Sequence, residues 1–340
     1  MDTMQGSVKV IDSDAHILDI DELIKPYLAK PFRSRRLPYL PWEAYDRTLG
    51  GTLSQPGINH DVRLAAMDRQ EIDTAVLYPT GGLLIGRIRE PAYAAALCCA
   101  YNDFIADYCK VSPRLKAVAN LPIYNLKESA KELNRAVTKL GLVGGMLAAQ
   151  AHSKNLGSPE FYPLYEEAER LGVPLAIHAF GGDEAGSEIF DQFICIHTTG
   201  HPFPILRQLT AMIFGGIPEL FPKLKLGYLE IGCGWIPYWI ERMDEEWEKR
   251  GKAEAPLCKK RPSDYLISGQ ITYGCEPDEK MMGYVVGEIG SESLMYASDY
   301  PHWDMSWPES AVLIWQRDDL SLEAKRNILE GNARRFYNLK

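Results

Sequence analysis

Val8-Lys9-Val10-Ile11-Asp12-Ser13-Asp14-Ala15-His16 starts as a short apolar run and ends in two acids, a serine and a histidine. A short, mostly apolar run is the signature of a strand buried on both faces, as in a parallel sheet. The same grammar recurs along the chain: Thr74–Tyr78 closed by Pro79, Leu115–Leu121 closed by Pro122, Gly144–Leu147, Pro174–Ile177 ending in His178, Lys225–Leu229 ending in Glu230, Gln270–Tyr273, and Leu294–Ala297 ending in Ser298-Asp299. Amphipathic stretches lie between most of them. Leu126, Ala130, Leu133, Val137 and Leu140, for example, recur at spacings of three and four, with Lys and Glu on the opposite side. Eight strand candidates alternating with helices predict an α/β fold of the closed (β/α)₈ TIM-barrel type.

Composition sets the outer limits. The chain has 340 residues, 46% of them hydrophobic, and carries 37 Lys+Arg against 46 Asp+Glu for a net charge of −9. So much apolar side chain predicts a folded core rather than a disordered chain. The acidic balance argues against a general nucleic-acid binder. No run of 18 apolar residues occurs, so no membrane span is expected, and the first residues carry no signal-peptide pattern. Seven cysteines, with no CxxC pair, predict reduced thiols and a cytoplasmic protein rather than a disulfide framework. One domain over residues 1–340 is expected. Its two long interruptions, Asp19–Asp61 and Gly181–Pro204, both follow strand ends and so are expected to cover the barrel mouth.

Polar residues at those strand ends supply the chemistry. Asp14, His16, His178, Glu230 and Asp299 come from four strands whose carboxyl ends a barrel brings together. Asp14 and His16 are two apart, which in an extended chain places both on one face. Imidazole with carboxylate suits Zn²⁺ or Mn²⁺. His302, three residues past Asp299, is a candidate for substrate contact, and His201 for substrate contact or proton transfer. His60, His152 and His197 read as exposed loop residues. Arg33-Ser34-Arg35-Arg36 reads as solvated, with a cation for a substrate carboxylate as the alternative. Tyr27, Phe32, Tyr39, Trp42 and Tyr45 suit either packing or an aromatic substrate. No phosphate-binding GxxxxGK[ST], GxGxxG after a strand, or GxSxG nucleophile elbow is present.

Four motifs in order carry a family resemblance: Ile11–His16, Leu229-Glu230-Ile231-Gly232-Cys233-Gly234-Trp235-Ile236-Pro237, Tyr296–His302, and Gly331-Asn332-Ala333-Arg334-Arg335-Phe336-Tyr337. Together they resemble the metal-dependent amidohydrolase superfamily, in its amidohydrolase-related branch with aminocarboxymuconate semialdehyde decarboxylase and γ-resorcylate decarboxylase. The resemblance runs from about Val8 to Leu339. It implies one divalent metal, Zn²⁺ ahead of Mn²⁺, at the mouth of the barrel. By the same resemblance His16 matches the second position of an HxH motif, with Asp14 at the first, where His or Glu is usual. His178 matches the fifth-strand ligand, and Asp299 the eighth-strand residue that is both ligand and acid/base. Glu230 stands where many members have His, and His201 is the residue that would substitute for it. The implied activity is non-oxidative decarboxylation or carbon–carbon cleavage of a small aromatic or cyclic carboxylic acid by a homo-oligomer, dimer or tetramer. Hydrolysis by a metal-activated water is the alternative, and an inactive metal-binding barrel the second.

Overall fold

The computed structural model describes residues 4, 8–35, 59–150, 155–180, 186–302 and 305–340. Parallel strands follow one another around a ring: β1 (Ile11–Ile17), β2 (Thr74–Pro79), β3 (Leu115–Ala117), β4 (Ala119–Asn120), β5 (Gly145–Ala148), β6 (Leu175–His178), β7 (Leu226–Leu229), β8 (Ile271–Cys275) and β9 (Leu294–Tyr296). β3 and β4 are two halves of one expected strand, divided at Val118. The first half pairs with β2, and the second with β5. The Val118 N–H donates to Leu77 O, and the Val143 N–H donates to Ala117 O. The ring closes where the His16 N–H donates to Tyr300 O (2.7 Å) and the Asp299 N–H to Asp14 O (3.0 Å). The architecture is a (β/α)₈ barrel.

Alternation along the strands sorts two cores. Ile11, Val76, Tyr78, Val118, Met146, Ala176, Leu229 and Met295 form an inner cluster with Ala333, Phe336 and Tyr337 of the closing helix (Asn332–Tyr337). Ala75, Leu77, Leu147, Leu175 and Ile177 point the other way, into the larger core beneath the outer helices. Gly227 shows how tightly the closing helix is seated, because a Cβ there would lie 2.7 Å from Phe336 Cζ. The helix Leu126–Leu140 illustrates the outer layer. Asn125 caps its first turn, Gly141 ends it at φ +75°, and Leu133 and Ala136 are buried.

Three local expectations change. β1 begins at Ile11 and runs through the polar motif to Ile17, so Asp14 and His16 lie within the strand rather than past its end. A bulge sits between Asp12 and Ala15, one residue more than the facing strand provides. The expected loop Gly181–Pro204 contains a helix, Phe193–Gly200, followed directly by Pro202–Phe214. Of the other interruption, Asp21–Ile24 and Lys30–Arg33 are helical, while residues 36–58, with Arg36, Tyr39, Trp42 and Tyr45, lie outside the described residues, as do 181–185 and His152. Phe32 packs on Tyr93 against the protein's own core, whereas Tyr27 is exposed, lying beside Phe104 and donating its hydroxyl to Asp107. Arg33 donates to Leu28 O and Pro26 O, and Arg35 is paired with Glu90. Among the described residues no helix is long and apolar enough to cross a membrane.

Candidate metal centre and active site

The bulge in β1 turns Asp14 and His16 to the inside of the ring, where both are buried. Neighbouring groups fix them from behind. His16 Nδ1 lies 3.1 Å from Pro79 O, which leaves Nε2 facing the centre. Arg63, itself buried, donates to the His16 carbonyl. Asp12 does not face the centre: its carboxylate accepts from Ser298 N (3.0 Å) and Ser298 Oγ (2.5 Å), which ties β1 to the turn carrying Asp299. Burial pushes the Asp12 carboxyl up to about 7, against those hydrogen bonds.

The other candidates converge from across the mouth. His178 Nε2 is 3.3 Å from Asp14 Oδ1, and His178 Nδ1 is 3.0 Å from Glu230 Oε2. His16 Nε2 is 3.5 Å from Asp14 Oδ1 and 3.3 Å from Asp299 Oδ1. His302 Nδ1 is 2.8 Å from Asp299 Oδ1 and 3.6 Å from Glu230 Oε1. His201 joins the group through Glu230 Oε1, 3.6 Å from its Nε2. Thus Asp14, His16, His178, His201, Glu230, Asp299 and His302 lie in one continuous cluster. Glu230 and Asp299 both hold left-handed backbone, at φ +62° and +56°. That conformation is uncommon outside glycine and tends to mark functional turns.

Electrostatics divide the histidines. Burial, reinforced by His302, lowers His16 to about 4, so its imidazole is neutral at neutral pH. Burial opposes charge on His178 as well, but Asp14 and Glu230 outweigh it and raise His178 well above its ordinary value. His302 is raised in the same way by Asp299 and Glu230. Glu230 is held well below the usual carboxylate range, because His178 and His201 overcome its burial. Asp14 is lowered for the same reason by His178 and His16.

The donor set fits a divalent cation. Asp14 Oδ2 and His16 Nε2 are buried and make no hydrogen bond. Such atoms are costly unless something satisfies them. Ligand-capable atoms of Asp14, His16 and His178 lie within 4.8 Å of one another, as do those of His16, Glu230, Asp299 and His302. The two groups share His16. Beside them opens a cleft of about 280 Å³, walled by His197, His201, Glu230, Ser298, Asp299 and Glu276 among others.

Several contributors escape the sequence reading. Thr80 Oγ1 lies 3.1 Å from His302 Nε2, so both ring nitrogens of His302 are engaged by the protein. Thr80 directly follows β2, and its place at a strand end was the available signal. Asp19 accepts the backbone N–H groups of Thr80, Gly81 and Gly82 and so fixes that turn. His197 is helical rather than in a loop, and its ring meets His201 edge-on with centroids 4.3 Å apart. His60 opens the helix His60–Arg69 and stacks on Tyr108 at 4.1 Å, so it too is not a loop residue.

Comparison with known proteins agrees with this geometry. The 2-amino-3-carboxymuconate-6-semialdehyde decarboxylase of Dictyostelium discoideum is 28% identical over 280 residues, covering 82% of this chain and 76% of the relative. The γ-resorcylate decarboxylase of Rhodococcus jostii is 28% identical over 263 residues, covering 71% and 77%. The crystal structure of 5-carboxyvanillate decarboxylase from Novosphingobium aromaticivorans, complexed with manganese and 4-hydroxy-3-methoxy-5-nitrobenzoic acid, shares the fold. It superposes with a TM-score of 0.77 at 20% identity, over 99% of this chain and 97% of that one. The family model described as amidohydrolase matches residues 11–339, from the first strand to the closing helix, and the chain belongs to that family.

Proposed function

We propose that this protein is a metal-dependent, non-oxidative decarboxylase of a small aromatic or cyclic carboxylic acid. The observation that carries the reading is Asp299: a carboxyl on a left-handed turn, on the cleft wall, with His302 at 2.8 Å and His16 at 3.3 Å. The names of the relatives, all decarboxylases of carboxylic acids, support the reaction class. Asp14, His16, His178 and Asp299 would hold the cation. When bound, it supplies a Lewis acid for the substrate carboxylate and a neighbouring hydroxyl. Carboxylates are hard donors that suit Mn²⁺, and manganese is bound in the Novosphingobium relative. Manganese therefore moves ahead of zinc in this reading, and elemental analysis of protein purified without chelator tests the choice.

Asp299 delivers a proton to the ring carbon that bears the carboxylate. The carbon–carbon bond then breaks, its electron pair returns to the ring, and CO₂ leaves. His302, its Nδ1 2.8 Å from Asp299 Oδ1 and its Nε2 steadied by Thr80, holds the proton that restores Asp299. Glu230 braces His178 on one side and His201 on the other, and so sets His201 on the cleft wall. Hydrolysis by activated water uses the same groups, but no feature of the site favours it. The exposed Ile189, Ile194 and Phe203 support the expected dimer or tetramer, which sedimentation measures. The deciding experiment incubates manganese-loaded protein with 2,6-dihydroxybenzoate, 5-carboxyvanillate and a panel of esters, lactones and amides. Release of CO₂ with the decarboxylated ring is the expected result; turnover of the esters, lactones or amides alone would replace this reading with the hydrolase.

A further inference from the structure

Two turns build one side of the cleft. The turn after β7 contributes Glu230 and Ile231, and the turn after β8 contributes Glu276 and Pro277. A single side chain joins them. Glu279 Oε2 accepts the Cys233 N–H at 2.7 Å and the Gly234 N–H at 3.2 Å, while Oε1 accepts the Glu276 N–H at 2.8 Å. Glu279 does not itself line the cleft. Its own backbone carbonyl accepts from Arg317 Nη1 at 2.7 Å, which holds the main chain of Glu279 in place.

The fit around this carboxylate is close. Gly232 holds φ +63° between Glu230 and Cys233, and a Cβ there would lie 2.8 Å from Glu279 Oε2. Glu230 and Gly232 thus both take left-handed backbone within three residues. A non-glycine residue keeps that conformation only where the surroundings over-determine it. Three hydrogen bonds from backbone N–H groups to one carboxylate are such a constraint, since bonds to an ionised acceptor are about twice as strong as neutral ones.

We propose that Glu279 is a positioning residue: by joining the turns after β7 and β8 it aims Glu230 at His178 and His201 and sets the width of the substrate cleft. The proposal rests on the decarboxylase reading for its kinetic consequence, but not for its structural one. Glu279→Ala removes all three acceptor contacts. Glu279→Gln keeps one oxygen for Cys233 and Gly234 and turns an NH₂ toward the Glu276 N–H, so it releases the β8 side alone.

The test uses the manganese-loaded protein and reads three quantities: amide hydrogen exchange, manganese content, and kcat and KM for 2,6-dihydroxybenzoate. In Glu279→Ala, exchange at Cys233, Gly234 and Glu276 should rise by about 10-fold or more, as expected for amides freed to open locally. Manganese content should stay at the wild-type level, and kcat should fall by about 10- to 100-fold, the scale of a small misplacement of a reacting group. Glu279→Gln should free only Glu276, recover most of kcat and keep a raised KM. This split separates positioning from general loosening, and the Gln variant decides the matter if the Ala variant does not fold. Unchanged exchange at all three amides, or faster exchange with wild-type kcat and KM, overturns the proposal. A wild-type protein inert toward every carboxylic acid overturns the decarboxylase reading instead, and the exchange data then judge the clamp alone.

Discussion

Asp299→Asn separates the proton donor from the metal ligand at one position. The substitution keeps the side chain's shape and one oxygen, and asparagine tolerates left-handed backbone better than most residues. At φ +56° the turn should therefore survive, with the Asp299 N–H still bonded to Asp14 O. The new side chain can offer its oxygen to His302 Nδ1, which lies 2.8 Å from Asp299 Oδ1. It has no proton to give to carbon. The loss of one general acid is about 10²- to 10⁴-fold in kcat, or about 2.7–5.5 kcal/mol in the barrier. Asp14, His16 and His178 remain for the cation, so manganese content should change far less than kcat. The assay pairs elemental analysis with CO₂ release across pH, where the limb due to the acid should vanish. Normal manganese with near-normal kcat would refute the reasoning and move the proton donor to His201, Glu230 or His302. Parallel loss of metal and activity, restored by added Mn²⁺, would make Asp299 chiefly a ligand.

Other outcomes follow from the same geometry. His178 is raised well above 6.5 by Asp14 and Glu230 against its burial, so the metal-free protein carries a proton there at neutral pH. Mn²⁺ binding at pH 7 should release about one proton, measured with an indicator dye in weak buffer; no release would contradict the assigned ligand. A raised histidine stabilises the fold below its unfolded value and loses that contribution as pH rises through the folded one. Above pH 6.5 the Tm of the metal-free protein should therefore fall with pH, in the window where His16, lowered to about 4, no longer titrates. Gly227→Ala places a methyl against Phe336 and should cost about 1–3 kcal/mol in urea unfolding, with Phe336→Leu restoring part of it. Asp19→Ala strips the acceptor from Thr80, Gly81 and Gly82 N–H groups and should cost about 1–3 kcal/mol, with kcat reduced through Thr80 and His302.

Much of the frame was legible because a parallel barrel writes itself as short apolar runs. His178 and Glu230 stand at or just past the ends of β6 and β7, where the runs stop. The bulge in β1 was hidden, since an extra residue between Asp12 and Ala15 leaves no mark on an alternation that is buried throughout. Positive φ at Glu230 and Asp299 was equally silent, because neither is the glycine that would announce it. The helix Phe193–Gly200 is rich in Ile and Thr, which have modest helix propensity, and tertiary context overrode that preference. Thr80 was missed for another reason: its contact with His302 spans 222 positions of sequence and exists only after the ring has closed.

The closing helix has a consequence for how the chain comes together. Tyr337 OH donates to Ser13 O of β1 at 2.8 Å and meets Tyr78 OH of β2 at 2.5 Å, so the closing helix is bonded to β1 across 324 positions and to β2 across 259. During synthesis the bond between Ser13 O and Tyr337 OH therefore cannot form until Tyr337 has left the ribosome. Contacts of such long range are formed slowly, and a chain that lacks them is exposed to misassembly. Removing the last few residues from Phe336 onward would thus act first as a defect of maturation, with less protein reaching the native state, before any effect on turnover by the molecules that do.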